Sequence, residues 1–352
     1  MDSGRVVGAV FLDLKKAFHT VDHNILLSEL QNVGITGCEL KWFKSYLHER
    51  KQATQIDGIR SEFSNIKIGV PQGSILGPLL FIIFINSLPA GISQRCKISI
   101  YADDTLLLFS GTSPEDIEND VLIGLHQVTK WLNKHGLILN VTKTKYMVFG
   151  SRPRLPPFEK VKLSLNNETL ERVTKYKYLG VMLDENLSWT EHIDYIAKKI
   201  SQKIGFLRRS VKANIPNSTF KLLSSAMVLP LFDYCNVAWS SCGNDKIDRL
   251  IKLHNRLARM ILNADPRTHI ADLHEALCWT SLPERWHRQR LCEVFKCVNN
   301  LNPNYLNSLF SVQGIRLVPA LCQMVLYRSP LFQRQMLRSA PSSTLVPWAG
   351  TN

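Results

Sequence analysis

The sequence predicts an α+β fold, with an antiparallel sheet and packed helices followed by a mostly helical C-terminal half. Three observations predict it. Up to about residue 190 the apolar residues fall in short runs bounded by turn residues, as strands do. From Thr190 the spacing changes to 3–4, with Ile193, Ile196, Ala197, Ile200, Ile204, Leu207 and Val211 on one helical face. At 352 residues and 45% hydrophobic content, the chain can bury a large core in two or three units.

Each element follows from its local pattern. Val6–Leu14 is a nearly continuous apolar run closing on Asp13, as a buried strand would. Asp22–Leu30 and Glu39–Leu47 read as helices, the first capped by Asp22. Gln52–Ile56 and Phe63–Ile68 read as strands around the turn Asp57-Gly58. After the loop Gly69–Ser74 comes a helix near Gly77–Leu88, apolar on all sides and therefore expected to be buried. Lys97–Ser110 reads as a hairpin with Ala102-Asp103-Asp104-Thr105 at its tip. Glu115–His135 is an amphipathic helix and Thr144–Phe149 a strand. Arg152–Phe158 is a proline-rich loop, and Leu163–Leu170 and Tyr176–Leu183 look like paired strands. Helical patterns continue to about Leu301, Thr190 being the candidate cap of the first. The tail from Asn302 has four arginines and no acids, and no regular structure is expected there.

The net charge is +14, with a pI near 9.5. It is uneven: residues 1–190 sum to +3 and 191–352 to +11. Such a balance fits a polyanion, either nucleic acid or an anionic membrane surface. The longest apolar stretch, Ile75–Ile85, is too short to span a bilayer, which needs about 20 residues. Met1–Val10 has no export signal pattern. Eight cysteines without a C-x-x-C pair read as reduced thiols, and Cys235, Cys242, His254 and His269 match no zinc-site spacing.

Asp103 and Asp104 are adjacent carboxylates flanked by strand-forming residues, and Asp13 ends a separate apolar strand. Acids this close repel unless a cation sits among them. Three carboxylates on neighbouring strand ends suit two Mg²⁺ ions, as in two-metal phosphoryl transfer. Lys246, Arg249, Lys252, Arg256 and Arg259, spaced 3, 3, 4 and 3, share one helical face suited to a phosphate backbone.

Five motifs occur in order: Val10–Phe18, Gly69–Phe81, Tyr101–Asp104, Gly136–Lys145 and Tyr176–Val181. They closely resemble the palm and primer-grip motifs of reverse transcriptases, most of all those of non-LTR (LINE-type, jockey-like) retrotransposons. The resemblance implies a right-hand polymerase: a palm over 1–150, a primer-grip hairpin region over 151–190, a helical thumb over 191–300 and a poorly ordered basic tail over 301–352. It implies an RNA-directed DNA polymerase that extends a DNA primer on an RNA template with dNTPs, using Mg²⁺ or Mn²⁺, in the nucleus or cytoplasm and without a membrane. The alternative is a catalytically impaired, element-derived remnant that binds nucleic acid. By the same resemblance Asp13, Asp103 and Asp104 hold metal and Lys143 is the general acid for pyrophosphate, with Lys145 two positions away. Phe18 is the gate against a 2′-hydroxyl, Gln72 and Gly73 line the nucleotide pocket, and Leu179 and Gly180 meet the primer end. Two departures stand out. His19 occupies a position usually held by Asp, which puts the local packing in question. Only twelve residues precede Asp13, so the fingers are expected to be largely absent.

Overall fold

The apolar run Val6–Leu12 forms β1, the middle strand of a five-stranded sheet. The computed structural model describes residues 5–151, 153, 155, 161–165, 168–211 and 215–308. It divides into two compact units, Met1–Glu191 and His192–Asn352. β1 does not alternate in polarity because both of its faces are covered. Val6, Val10 and Leu12 enter the main core; Ala9 and Phe11 enter a smaller one with Met147 and Phe149.

A single 3₁₀ turn, Ala17–His19, leads into helices α1 (His23–Asn32) and α2 (Gly37–Leu47). Asp22 caps α1 as expected, its carboxylate accepting from the Asn24 and Ile25 N–H groups at 2.8 and 3.0 Å. Four two-residue strands follow: β2 (Lys51–Gln52), β3 (Gln55–Ile56), β4 (Ile59–Arg60) and β5 (Ser64–Asn65). The turn Asp57-Gly58 is in place, but β3 pairs across it with β4, and β5 pairs with β2. The expected strand Phe63–Ile68 is thus reduced to two residues. All eight strand residues of this excursion are exposed, so no core lies beneath to lengthen the ladder.

Helix α3 (Leu76–Ile85) corrects a second expectation. Gly77, Leu80, Phe81, Phe84 and Ile85 are buried, yet Leu79 and Ile82 are about half exposed and Ile75, just before the helix, is 96% exposed. All-round apolar composition is not matched by all-round cover, because α3 packs by one side on α1 and the sheet. The hairpin of β6 (Cys96–Tyr101) and β7 (Asp104–Gly111) forms as expected. Helix α4 (Pro114–Lys134) is capped by the Ser113 hydroxyl and lays Ile117, Val121, Leu125, Val128 and Leu132 on the core. Strand β8 (Lys145–Phe149) then pairs antiparallel with β1.

Leu163–Leu170 and Tyr176–Leu183 do not pair with each other. Strands β9 (Ser164–Leu165) and β10 (Glu168–Thr169) pair together, and after β11 (Glu171–Arg172) so do β12 (Lys175–Tyr178) and β13 (Val181–Asp184). Tight turns bring local partners together at lower entropic cost than distant ones. The sheet order is β11-β8-β1-β7-β6. Its neighbours are antiparallel except β11, which runs parallel to β8, so the sheet is mixed rather than purely antiparallel. The chain reaches β11 by a crossover after β8 instead of a hairpin. The β12–β13 hairpin covers the smaller core, with Phe11 and Tyr176 stacked 4.1 Å apart.

The second unit is helical: α5 (Thr190–Phe206), a π-turn at Leu207–Val211, α6 (Asn217–Asp233), α7 (Asn236–Trp239), α8 (Asn244–Leu262), α9 (Ile270–Leu277), α10 (Leu282–Val298) and α11 (Asn304–Asn307). Thr190 is the first residue of α5 rather than its cap; the Ser188 hydroxyl accepts from its N–H. Trp239 and Trp286 meet edge to face at the centre, and their indole N–H groups donate to the Tyr234 and Phe232 carbonyls at 2.9 Å. The start of the tail holds the one-turn α11, and the rest lies outside the described residues, as does most of Arg152–Phe158. Among the described residues no helix is long and apolar enough to cross a membrane.

Candidate active site

Strand register brings the three acids to one end of the sheet. Leu12 pairs with Thr105, so Asp13 and Asp104 are opposite each other one step beyond. Asp103 is at the hairpin tip, where Tyr101 pairs with Asp104 and Ala102 takes a left-handed φ of 53°. An alanine there is strained, and such strain is held only where surrounding structure over-determines it. Burial pushes the Asp104 carboxyl pKa up, and the negative charges of Asp103 and Asp13 push it further. The same acids act on Tyr176, whose hydroxyl is raised by burial first and then by Asp104 and Asp13. The hairpin β12–β13 therefore lies beside the acidic end. At its tip Leu179 (φ 44°) and Gly180 (φ 81°) are both left-handed, the backbone of a tight hairpin turn.

Asp13 has a support that sequence reasoning missed. Its side-chain Oδ2 accepts from Asn140 Nδ2 at 2.9 Å, and its carbonyl accepts from the Asn140 N–H at 2.8 Å. Its own N–H donates to Thr144 Oγ1 at 3.3 Å. Asn140 falls inside one of the five motifs, but only the fold reveals a contact across 127 residues. Three residues on, Lys143 is exposed, with no ion pair among the described residues. Lys145 instead lies on β8, where its Nζ donates to the Thr142 carbonyl at 2.7 Å and pairs with Glu171. That difference favours Lys143 over Lys145 as the free cation of this segment.

Phe18 is on the 3₁₀ turn and stacks on Phe81 of α3, centroids 4.5 Å apart. The loop before α3 is tied to that turn by its backbone. Val70 N–H donates to the Phe18 carbonyl at 2.8 Å and Gly69 N–H to the Val21 carbonyl at 2.7 Å. Gly69 has φ 91°, and a Cβ there would meet the His19 carbonyl at 2.8 Å, so only glycine permits this approach. The His19 side chain is exposed. Gln72 and Gly73 are exposed at the loop's crest.

Asp13, Asp103, Asp104 and the β12–β13 hairpin thus share one end of the sheet, whereas the basic residues are on α8 of the second unit. Arg249, Lys252 and Arg256 line a groove of about 610 Å³ beside Lys198 of α5, and Arg249 is paired with Asp194. Lys246 and Arg259 are half-buried, so the stripe is only partly presented. Among the described residues, no three His, Cys, Asp or Glu side chains already form a metal cage. The donor chemistry of the acidic end nonetheless fits hard divalent cations: all oxygen, anionic and mutually repelling. A cavity of about 710 Å³ is at the other end of the sheet, lined by Arg5, Arg95 and Asp120 among others, away from the acids.

A family model described as reverse transcriptase (RNA-dependent DNA polymerase) matches residues 2–183. The chain belongs to this family. Its relatives include the RNA-directed DNA polymerase from mobile element jockey of Drosophila funebris, 30% identical over 90% of this chain and 34% of that one. The probable RNA-directed DNA polymerase from transposon X-element of Drosophila melanogaster is 24% identical over 88% and 33%. The resemblance to enzymes of non-LTR retrotransposons therefore stands, and the chain spans about a third of the length of these relatives. Among solved structures, telomerase from Candida tropicalis with a telomeric RNA fragment aligns at TM-score 0.37 and 11% identity, over 91% of this chain and 49% of that one. That similarity is too distant to bear on the site. Reverse transcriptases generally act with divalent metal ions.

Proposed function

We propose that this chain carries the palm (1–150), primer-grip hairpin region (151–190) and helical thumb (191–300) of an RNA-directed DNA polymerase. It extends a DNA primer on an RNA template with dNTPs. The observation that carries this is the meeting of Asp13, Asp103 and Asp104 at one sheet end, with Phe18 and the Gln72 loop fastened together by backbone hydrogen bonds.

Asp13 and Asp103 would hold two Mg²⁺ ions, with Asp104 less directly engaged; such ions would supply activation of the primer 3′-hydroxyl and charge stabilisation for the leaving pyrophosphate. Asn140 orients the Asp13 carboxylate. Lys143 donates a proton to the leaving pyrophosphate. Gln72 and Gly73 line the nucleotide pocket, and Leu179 and Gly180 seat the primer end by shape. The test is primer extension on a primed RNA template with Mg²⁺ and dNTPs. Template-dependent product is expected; none under any divalent metal would reject the reading.

Phe18 stacked on Phe81 forms a rigid floor that excludes a 2′-hydroxyl. Phe18→Ala is expected to raise the rNTP to dNTP incorporation ratio by about tenfold or more, the scale of selectivity set by small steric differences. An unchanged ratio removes Phe18 from the gate. Lys252 and Arg256, exposed and without an ion pair among the described residues, would track the phosphate backbone. Changing both to Gln is expected to lower the slope of log K against log salt by about 2 units. Parallel salt dependences would leave the stripe as a solvated face.

A further inference from the structure

The turn between Asn140 and Lys145 is held more firmly than its fold requires. Its backbone closes on one carbonyl: the Lys143 and Thr144 N–H groups donate to the Asn140 carbonyl at 3.2 and 2.9 Å. That carbonyl also accepts from the buried Thr144 hydroxyl at 2.9 Å. Val141 packs on the main core. Lys145 reaches back from β8, its Nζ donating to the Thr142 carbonyl at 2.7 Å. These contacts already seat the turn on the sheet. Two further side-chain bonds remain, and both involve the Asn140 amide. Its Nδ2 donates to Asp13 Oδ2 at 2.9 Å, and its Oδ1 accepts from the Thr142 hydroxyl at 2.8 Å. Lys143 stands apart: it is exposed, and its side chain makes no bond among the described residues.

A carboxamide is planar, so its nitrogen and oxygen move together. A rotation of the Asp13 carboxylate therefore turns the Asn140 amide, and the turning amide draws Thr142, whose peptide bond leads to Lys143. Thr142 is exposed, and its hydroxyl could bond to water at little cost in stability. Folding alone does not account for its choice of partner.

We infer that Asn140 and Thr142 are positioning residues that join Asp13 and Lys143 into one unit, so that the proton donor is in register only while the metal-ligating carboxylate is. This coupling, which rests on the polymerase reading, ties delivery of the proton to the residue that ligates metal. In the step concerned, the primer 3′-oxygen attacks the α-phosphorus and loses its proton to water. The bond from that phosphorus to the bridging oxygen breaks, and the oxygen leaves with the electron pair. The Lys143 ammonium passes it a proton and regains one from solvent. A donor on a long side chain works only where its backbone anchor is fixed, and drift of about an ångström costs up to about 10²-fold.

The experiment is single-turnover primer extension by the full chain on a primed RNA template, with the dNTP concentration varied. Thr142→Val removes the hydroxyl but keeps a branched side chain, whereas Thr142→Ser keeps the hydroxyl. Val is expected to lower the maximal rate about tenfold, with half-saturating dNTP and Mn²⁺ affinity unchanged, and Ser to restore most of the rate. In a chain that already carries Lys143→Gln, Thr142→Val is expected to add nothing, because the group it positions is gone. Asn140→Leu also cuts the bond to Asp13, so it is expected to lose rate even in that background. Additive losses for Thr142→Val and Lys143→Gln, equal loss for Val and Ser, or Asn140→Leu without effect in the Lys143→Gln chain would overturn the coupling and leave the polymerase reading in place. So would a Thr142→Val chain as fast as wild type. A wild-type chain that extends no primer under any divalent metal would reject that reading and the coupling with it.

Discussion

Asp103→Asn is expected to lower primer extension by on the order of 10³ while leaving the protein as stable as before, or slightly more so. The two effects have one cause. Asp103 is exposed at the β6–β7 tip, so Asn fits without repacking. Its charge is one of the two that raise the Asp104 pKa. A carboxyl whose folded pKa is raised disfavours folding once pH exceeds that pKa, since the folded state binds the proton more tightly than the unfolded one. Removing Asp103 relieves part of that penalty at neutral pH. A residue kept for structure would lose stability on replacement; this one should lose function instead. The check pairs single-turnover extension with thermal melting at pH 7.5, together with Mn²⁺ titration by calorimetry. Asp13→Asn should behave alike in extension and metal binding, but its bond from Asn140 makes some loss of stability expected. Unchanged Mn²⁺ affinity in both variants would remove these acids from the metal site.

Much of this geometry could be read directly from local sequence. Asp22 before a helical run announces its cap, and an unbroken apolar run announces a strand covered on both faces. The Tyr101–Asp104 tip between two apolar runs announces a hairpin. These features depend on neighbours a few residues apart. What stayed hidden depends on distant partners. Nothing in Glu171-Arg172 reveals that it runs parallel to β8, and nothing in Asn140 reveals that it holds Asp13. The apolar helix α3 misled because composition reports what a helix tolerates, whereas burial is decided by how many sides other elements cover.

The helical unit should be the acid-sensitive part of the molecule. His254 is 2% exposed, ringed by Phe232, His274 and Trp279, and its pKa falls to about 3. Burial is the main cause, with the nearby His274 and Arg285 charges adding to it. His192, 1% exposed beside Trp239, falls to about 4 through burial. Both stay neutral in the folded state while the unfolded chain takes up protons near pH 6.5. The unfolded state therefore binds more protons, and stability falls as pH drops through 6.5 toward the folded values. At pH 5 each histidine should cost roughly 2 kcal/mol relative to pH 7.5, at about 1.36 kcal/mol per unit. Together that is a large fraction of the stability of an ordinary domain. Carboxylates with ordinary values have barely begun to titrate at pH 5, so the window isolates the histidines. Thermal melts followed by circular dichroism from pH 7.5 to 5 would show the loss. His254→Phe keeps an aromatic ring against Phe232 and Trp279 but cannot take up a proton. It should reduce the pH dependence by the His254 share, leaving that of His192 and His274, and a variant melting with the wild-type slope would show that this buried ring is not what acid attacks.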